Sequence, residues 1–175
     1  MKPFLKWAGG KYKIIDKIQK ALPNGKRLIE PFVGSGAVFL NIDFEEYLLT
    51  DINADLINLY KQVQEHGKDF SNYASALFKP ENNTQTAFYD LRAEFNACTD
   101  VARKSAIFVY LNRHCFNGLC RYNSKGQFNV PFGRYANPTF PAVEMLNFHK
   151  KSKHAAFEVA DFKDVMGKAD IGSVV

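Results

Sequence analysis

A run of strand length, Arg27 to Phe32, breaks into a glycine turn at Gly34 and Gly36, and the chain resumes with helix-compatible residues from Ala37 to Ile42. Strand, glycine turn and helix in that order bring exposed backbone amides to a helix N-terminus at the end of a strand. A second strand, expected over Tyr47 to Thr50, ends on Asp51. An acidic side chain about 20 residues beyond such a turn is placed to accept hydrogen bonds from ribose hydroxyls. The same stretch discriminates among ligands. The third glycine of a dinucleotide fingerprint is replaced by Phe39, which opposes close backbone approach to a pyrophosphate, and Glu30 just before the turn repels phosphate. A nucleoside carrying a positive group suits this carboxylate-flanked turn better. S-adenosylmethionine, a sulfonium joined to adenosine, is such a ligand.

The rest of the chain reads as α/β with an interruption. Tyr12 to Leu22 has Ile14, Ile15, Ile18 and Leu22 on one helical face, stopped by Pro23-Asn24-Gly25. Helices are expected over residues 54–64, 68–78, 84–97 and 101–113 with no strand between them, so this helical block looks inserted into the α/β unit. A segment rich in Asn, Gly, Arg and Pro follows, NGLCRYNSKGQFNVPFGRYANP, with the composition of a hairpin or long recognition loop. A helix over residues 144–153, a third strand over 155–159 and a helix over 161–168 come next. Ile171 to Val175 begins what looks like a buried strand. A doubly wound sheet wants more strands than this, so a missing C-terminal portion is expected.

Charge is concentrated. Between Val101 and Val143 lie Arg103, Lys104, Arg113, Arg121, Lys125 and Arg134 with no Asp or Glu, whereas the whole chain carries +5. A solvated face mixes signs, and an acid-free basic stretch is built to meet a polyanion. Tyr110, Phe116, Tyr122, Phe128, Phe132 and Tyr135, with Asn112, Asn117, Asn123 and Asn129, lie in the same stretch. Guanidinium and amide groups read base edges, and a ring can fill a gap in a base stack. Some of these aromatics must nonetheless belong to the core. Cys98, Cys115 and Cys120 lack C-x-x-C spacing, and His114 has no second ligand pair, so no metal is expected. The N-terminus has no apolar signal core and no run reaches membrane-span length, so a cytoplasmic protein with no membrane partner is expected.

FLKWAGGK at Phe4 to Lys11, EPFVGSG at Glu30 to Gly36, TDIN at Thr50 to Asn53 and NGLCRYNSKGQFNVPFGRY at Asn117 to Tyr135 together resemble bacterial and phage DNA adenine methyltransferases of the Dam type. The resemblance covers the whole chain in order. FLKWAGGK is not a P-loop, because Leu5 stands where its first glycine belongs and Tyr12 replaces Ser or Thr. The resemblance implies a Rossmann-like, S-adenosylmethionine-dependent methyltransferase fold over residues 1–55 and 142–175. A mainly helical target-recognition domain with a hairpin, residues 56–141, is inserted in it.

The resemblance also implies roles. Trp7 and Lys11 would contact S-adenosylmethionine, Phe32, Gly34 and Gly36 would form the turn beneath its methionine part with Glu30 nearby, Asp51 would bind the ribose, and Asp161 with Phe162 the adenine. Lys6, Arg113, Phe116, Asn117, Leu119, Arg121, Pro131 and Arg134 would meet double-stranded DNA at GATC, with Arg121 as the guanine reader and Phe116 inserting into the duplex. The implied enzyme is monomeric, metal-free and active on bacterial or phage DNA. Its catalytic motif, D-P-P-Y, does not occur in this sequence and is expected just after Val175, so the chain alone is expected to be inactive. The alternative is a truncated, non-catalytic GATC-binding module. A dinucleotide-dependent oxidoreductase is disfavoured by Phe39 and by the acid-free basic stretch.

Overall fold

Leu28 and Ile29 are adjacent, both fully buried, and point to opposite sides of one strand, so this strand must be covered on both faces. The computed structural model, which describes residues 1–175, shows how. A 3₁₀ turn at Lys11–Ile14 leads into helix α1 (Ile15–Ala21), followed by β1 (Arg27–Glu30), α2 (Ala37–Asn41), β2 (Glu46–Asp51) and α3 (Ala54–Ser75). Helices α4 (Gln85–Ala97) and α5 (Val101–His114) precede a long loop over residues 115–141, and α6 (Ala142–Ser152), β3 (Ala155–Val159), α7 (Phe162–Met166) and β4 (Ser173–Val174) follow it. All strand pairs are parallel, in the order β3-β2-β1-β4. The protein is thus a mixed α/β structure with a four-stranded parallel sheet.

On one face Leu28, Tyr47, Leu49 and Phe157 join the main core, while on the other Ile29 and Leu48 pack against Val165 of α7. The main core is rich in rings. Phe148 of α6 stacks on Tyr60 of α3 with centroids 4.6 Å apart and meets Phe4 edge-on at 5.2 Å. This ties the N-terminal segment to the sheet. The same cluster of 33 buried residues runs on through α3 into α4, α5 and Phe128 of the loop, so the sheet and the helical block share one core. Asn53, Thr84, Asp100 and Asp161 cap α3, α4, α5 and α7 by accepting backbone N–H groups.

Three local expectations change in the structure. The helices expected over 54–64 and 68–78 form one element, kinked where Gly67 adopts φ 46 and ψ −111. A side chain there would meet His149 Nε2 at 2.7 Å, and His149 Nδ1 donates to the carbonyls of Val63 and Gln64 freed by the kink. The expected helix over Tyr12 to Leu22 is shorter, and none of its apolar side chains is fully buried, although Leu22 packs against the edge of the core. At β4 only Ser173 and Val174 pair, and Ile171 lies in solvent before Gly172, whose φ is 101. No helix is long and apolar enough to cross a membrane.

Candidate functional site

Strand order reverses between β1 and β4, since the chain runs outward through β2 and β3 and then returns to the other side of β1. Ligands of open α/β sheets bind outside the carboxyl ends of the strands at such a reversal. The glycine turn leaves β1 there. Gly34 and Gly36 have φ of 47 and 70, conformations that side chains disfavour. At Gly34 space as well as conformation demands glycine, because a Cβ would lie 2.9 Å from the Trp7 indole nitrogen. The turn is held from three sides. Val33 N–H donates to the Thr50 carbonyl at 2.8 Å, Tyr60 hydroxyl donates to the Gly34 carbonyl, and Gly34 N–H donates to Asp51 Oδ2 at 3.2 Å. The other oxygen of Asp51 accepts Asn53 N–H at 3.0 Å, so each carboxylate oxygen keeps a free lone pair for a hydroxyl.

Beside the turn is a cavity of about 390 Å³ lined by Trp7, Gly9, Lys11, Glu30, Phe32, Gly34 and neighbouring residues. Glu30 Oε1 accepts Phe39 N–H at 2.7 Å in the first turn of α2. Burial pushes the Glu30 carboxyl up to about 8, against the opposing pull of that amide. A cation entering the cavity would favour the ionised form. Lys11 is exposed at the rim, its ammonium donating to the Gly9 carbonyl at 3.1 Å. Across the carboxyl edge of the sheet, Phe32 is 70% exposed and its ring lies 5.3 Å from that of Phe162. Asp161 accepts Lys163 N–H at 2.9 Å and Ala160 N–H donates to the Asp51 carbonyl, which places the β2 and β3 ends side by side. Phe32, Asp51, Asp161 and Phe162 are thus brought together around one edge.

The basic segment is organised by the loop that follows α5. Cys115 bridges Phe132 and Tyr122 bridges Phe128 in antiparallel pairs, making an irregular hairpin. Of the aromatics considered for base contact, Tyr110 and Phe128 are buried, Phe132 packs on the core, and Tyr122 donates its hydroxyl to Asp55 at 2.9 Å. Phe116 differs: its ring is 50% exposed at the start of the loop. Its N–H donates to the Pro131 carbonyl at 2.9 Å, and Asn117 N–H donates to Tyr135 hydroxyl at 2.9 Å. Asn117 and Arg134 are the two non-glycine residues with positive φ. Lys6 reaches over the Tyr135 ring at 4.3 Å. Lys6, Phe116, Asn117, Pro131 and Arg134 therefore share one end of the loop, with Leu119 half-buried beneath it. Arg121 is exposed farther along, its Nε donating to Asn129 Oδ1 at 2.7 Å. Arg113 is half-buried and its Nε has no partner.

The asparagines divide by role in a way composition did not separate. Asn123 shapes the hairpin tip, accepting the N–H groups of Lys125 and Gln127, Asn129 holds Arg121, and Asn112 is buried against the backbone of Lys6. Ile52, directly after Asp51, is 73% exposed at the same edge as Phe32 and was missed by motif reasoning. Its signal is an apolar side chain in solvent next to a candidate ribose acid. His114 donates Nδ1–H to the Tyr110 carbonyl, and burial lowers its pKa to about 4. No cluster of three or more His, Cys, Asp or Glu could hold a metal.

The chain is 55% identical to a DNA adenine methylase of Serratia marcescens over 98% of its own length and 64% of the relative's. The corresponding proteins of Escherichia coli K12 and Vibrio cholerae are 51% and 48% identical over the same 98% of this chain, which covers 62% of each. The chain therefore spans less than two thirds of the length of these relatives. The family model for D12 class N6 adenine-specific DNA methyltransferases matches residues 7–175. With that match over nearly its whole length, the chain belongs to the D12 class N6 adenine-specific DNA methyltransferase family.

Proposed function

We propose that this chain is the cofactor-binding and DNA-reading part of a site-specific DNA adenine methyltransferase. The transfer is from S-adenosylmethionine to the exocyclic amine of adenine in GATC. The observation that carries the reading is the glycine turn bonded to Asp51 beside a cavity that holds Glu30 and is roofed by Trp7. The residues fit the cofactor: Trp7, Lys11, Glu30, Phe32, Gly34 and Gly36 would hold its methionine part, Asp51 the ribose, and Asp161 with Phe162 and Phe32 the adenine. When bound, the cofactor supplies an electrophilic methyl group on sulfur. The Glu30 carboxylate balances that cation, and the flanking rings shield the site from water.

Residues 56–141 act as the target-recognition segment set into a methyltransferase unit of residues 1–55 and 142–175. Arg121 offers its planar fork to a guanine in the major groove, while Asn117, Leu119 and Pro131 contact the neighbouring bases. Lys6, Arg113 and Arg134 face DNA and contact its backbone. The exposed ring of Phe116 fills the space left when adenine swings out of the stack. The sequence contains no D-P-P-Y, so methyl transfer needs that motif in addition to this chain.

Calorimetric titration with S-adenosylmethionine and with NAD tests the cofactor reading. Saturable binding of S-adenosylmethionine is expected, and preference for NAD would overturn it. Labelled methyl transferred to a GATC duplex by residues 1–175 alone would overturn the requirement for D-P-P-Y.

A further inference from the structure

Asn112, in the last turn of α5, is 2% exposed, and its amide is fully committed. Oδ1 accepts the N–H of Lys6 at 2.9 Å, and Nδ2 donates to the carbonyls of Lys6 at 2.8 Å and Gly118 at 3.3 Å. A side-chain amide has one acceptor and two donor hydrogens, and this one pairs both backbone groups of a single residue as a neighbouring strand would. The irregular N-terminal stretch around Lys6 and the 3₁₀ turn at Phe116–Gly118 are thereby locked to one buried atom group.

Each segment leads to a different half of the site. One residue beyond Lys6, Trp7 lies against Gly34, and the chain from Trp7 to Lys11 lines the cofactor cavity. Gly118 closes the turn that presents Phe116 and Asn117. It sits so tightly under Lys6 that a side chain there would overlap the lysine stem. The Lys6 ammonium stacks on Tyr135, whose hydroxyl accepts Asn117 N–H. The cavity wall and the DNA-facing turn are therefore separated by the length of one lysine and joined through one amide.

We propose that Asn112 is a positioning residue that sets the register between the cofactor-lining segment and the DNA-facing turn, so that occupancy of either site tightens the other. This rests on the cofactor and DNA reading given above. A shift of the Trp7 segment on ligand binding moves Lys6, and Lys6 cannot move without Gly118 and Tyr135. Asn112→Asp breaks the clamp at constant size, because a carboxylate has no hydrogens for the two carbonyls it would face.

The test is a thermodynamic cycle. Affinity for a GATC duplex is measured by fluorescence anisotropy with and without saturating S-adenosylhomocysteine, which cannot react. The unmodified chain should show a ratio of about fivefold or more, the lower range of allosteric coupling. In Asn112→Asp the ratio should fall close to one. A residue that merely supports the fold would lower the melting temperature or both affinities and leave the ratio intact. Should Asn112→Asp fail to fold, Tyr135→Phe takes its place. This half-exposed ring keeps its stacking on Lys6 and loses only the hydroxyl that anchors Asn117, and its ratio should also drop. A ratio unchanged from the parent in a folded variant overturns the proposal, as does a ratio near one in the parent. Failure of the parent to bind S-adenosylhomocysteine at all would instead overturn the cofactor reading itself.

Discussion

Glu30→Gln should make the ligand-free protein more stable in alkaline solution and leave it unchanged in acid. The Glu30 carboxyl sits at the end of β1, raised by burial from 4.5 to about 8 although it accepts the Phe39 amide. The native state thus keeps a proton that the unfolded chain releases, and stability falls as pH rises from about 4.5 to 8. Each tenfold change in the ionisation constant is worth about 1.4 kcal/mol, which puts the ceiling on the penalty above pH 8 at roughly 5 kcal/mol. Relaxation and water entry at the cavity mouth reduce this, and a gain of about 1–3 kcal/mol is expected. Glutamine keeps an oxygen for the Phe39 N–H, so only the charge is removed. Urea unfolding of both proteins at pH 5 and pH 8.5 measures the difference, which corresponds to a few degrees in melting temperature for a chain of this size. Near pH 7 the parent should also release a proton on binding S-adenosylmethionine, seen as a calorimetric heat that depends on the buffer, and the variant should not. Equal destabilisation by Glu30→Gln at both pH values would refute the reasoning. It would mean that the carboxylate is ionised throughout and held by the N-terminus of α2.

Gly34→Ala places a methyl group 2.9 Å from the Trp7 indole at a backbone φ of 47, so affinity for S-adenosylmethionine should fall at least about tenfold by isothermal titration; unchanged affinity would remove the indole from the site. Arg121→Ala should cost about 1–3 kcal/mol at one guanine and relax discrimination there. Equal weakening across all duplex sequences would make Arg121 a phosphate contact instead. Phe116→Ala, at a half-exposed ring, should change stability by no more than about 0.5 kcal/mol. It should at the same time lower the fluorescence rise of 2-aminopurine placed at the target adenine, and an undiminished rise would exclude the ring from base displacement.

Local pattern carried much of the secondary structure. The β3 strand over Ala155–Val159 and the glycine turn follow from a short apolar run and from two glycines whose positive φ few other residues adopt. Helices α4 and α5 are readable because their apolar spacing coincides with caps at Thr84 and Asp100. The kink at Gly67 was not readable in the same way. It is stabilised by His149, far along the chain, and no local window contains both residues. The basic segment shows the same limit. Its composition pointed to a polyanion, but Tyr110, Phe116 and Phe128 are all aromatic residues of one stretch, and burial alone separates the core rings from the exposed one.

Chemistry that depends on residue type and short spacing was therefore present in the chain as written: a carboxylate before a glycine turn, an acid at the end of the next strand, and a long stretch without acids. Parallel pairing then decided which of these meet. It set the ends of β1, β2 and β3 side by side, so that Asp51 could bond Gly34 and Phe32 could meet Phe162. Packing made the other decision. Asn112 looks like one more polar residue of a basic helix, yet burial against Lys6 and Gly118 leaves its amide no water to bond and makes it the joint between the N-terminal segment and the loop after α5. A hydrogen-bonding group has the same valence everywhere along a sequence, and what it holds is settled by which distant backbone groups the core presses against it.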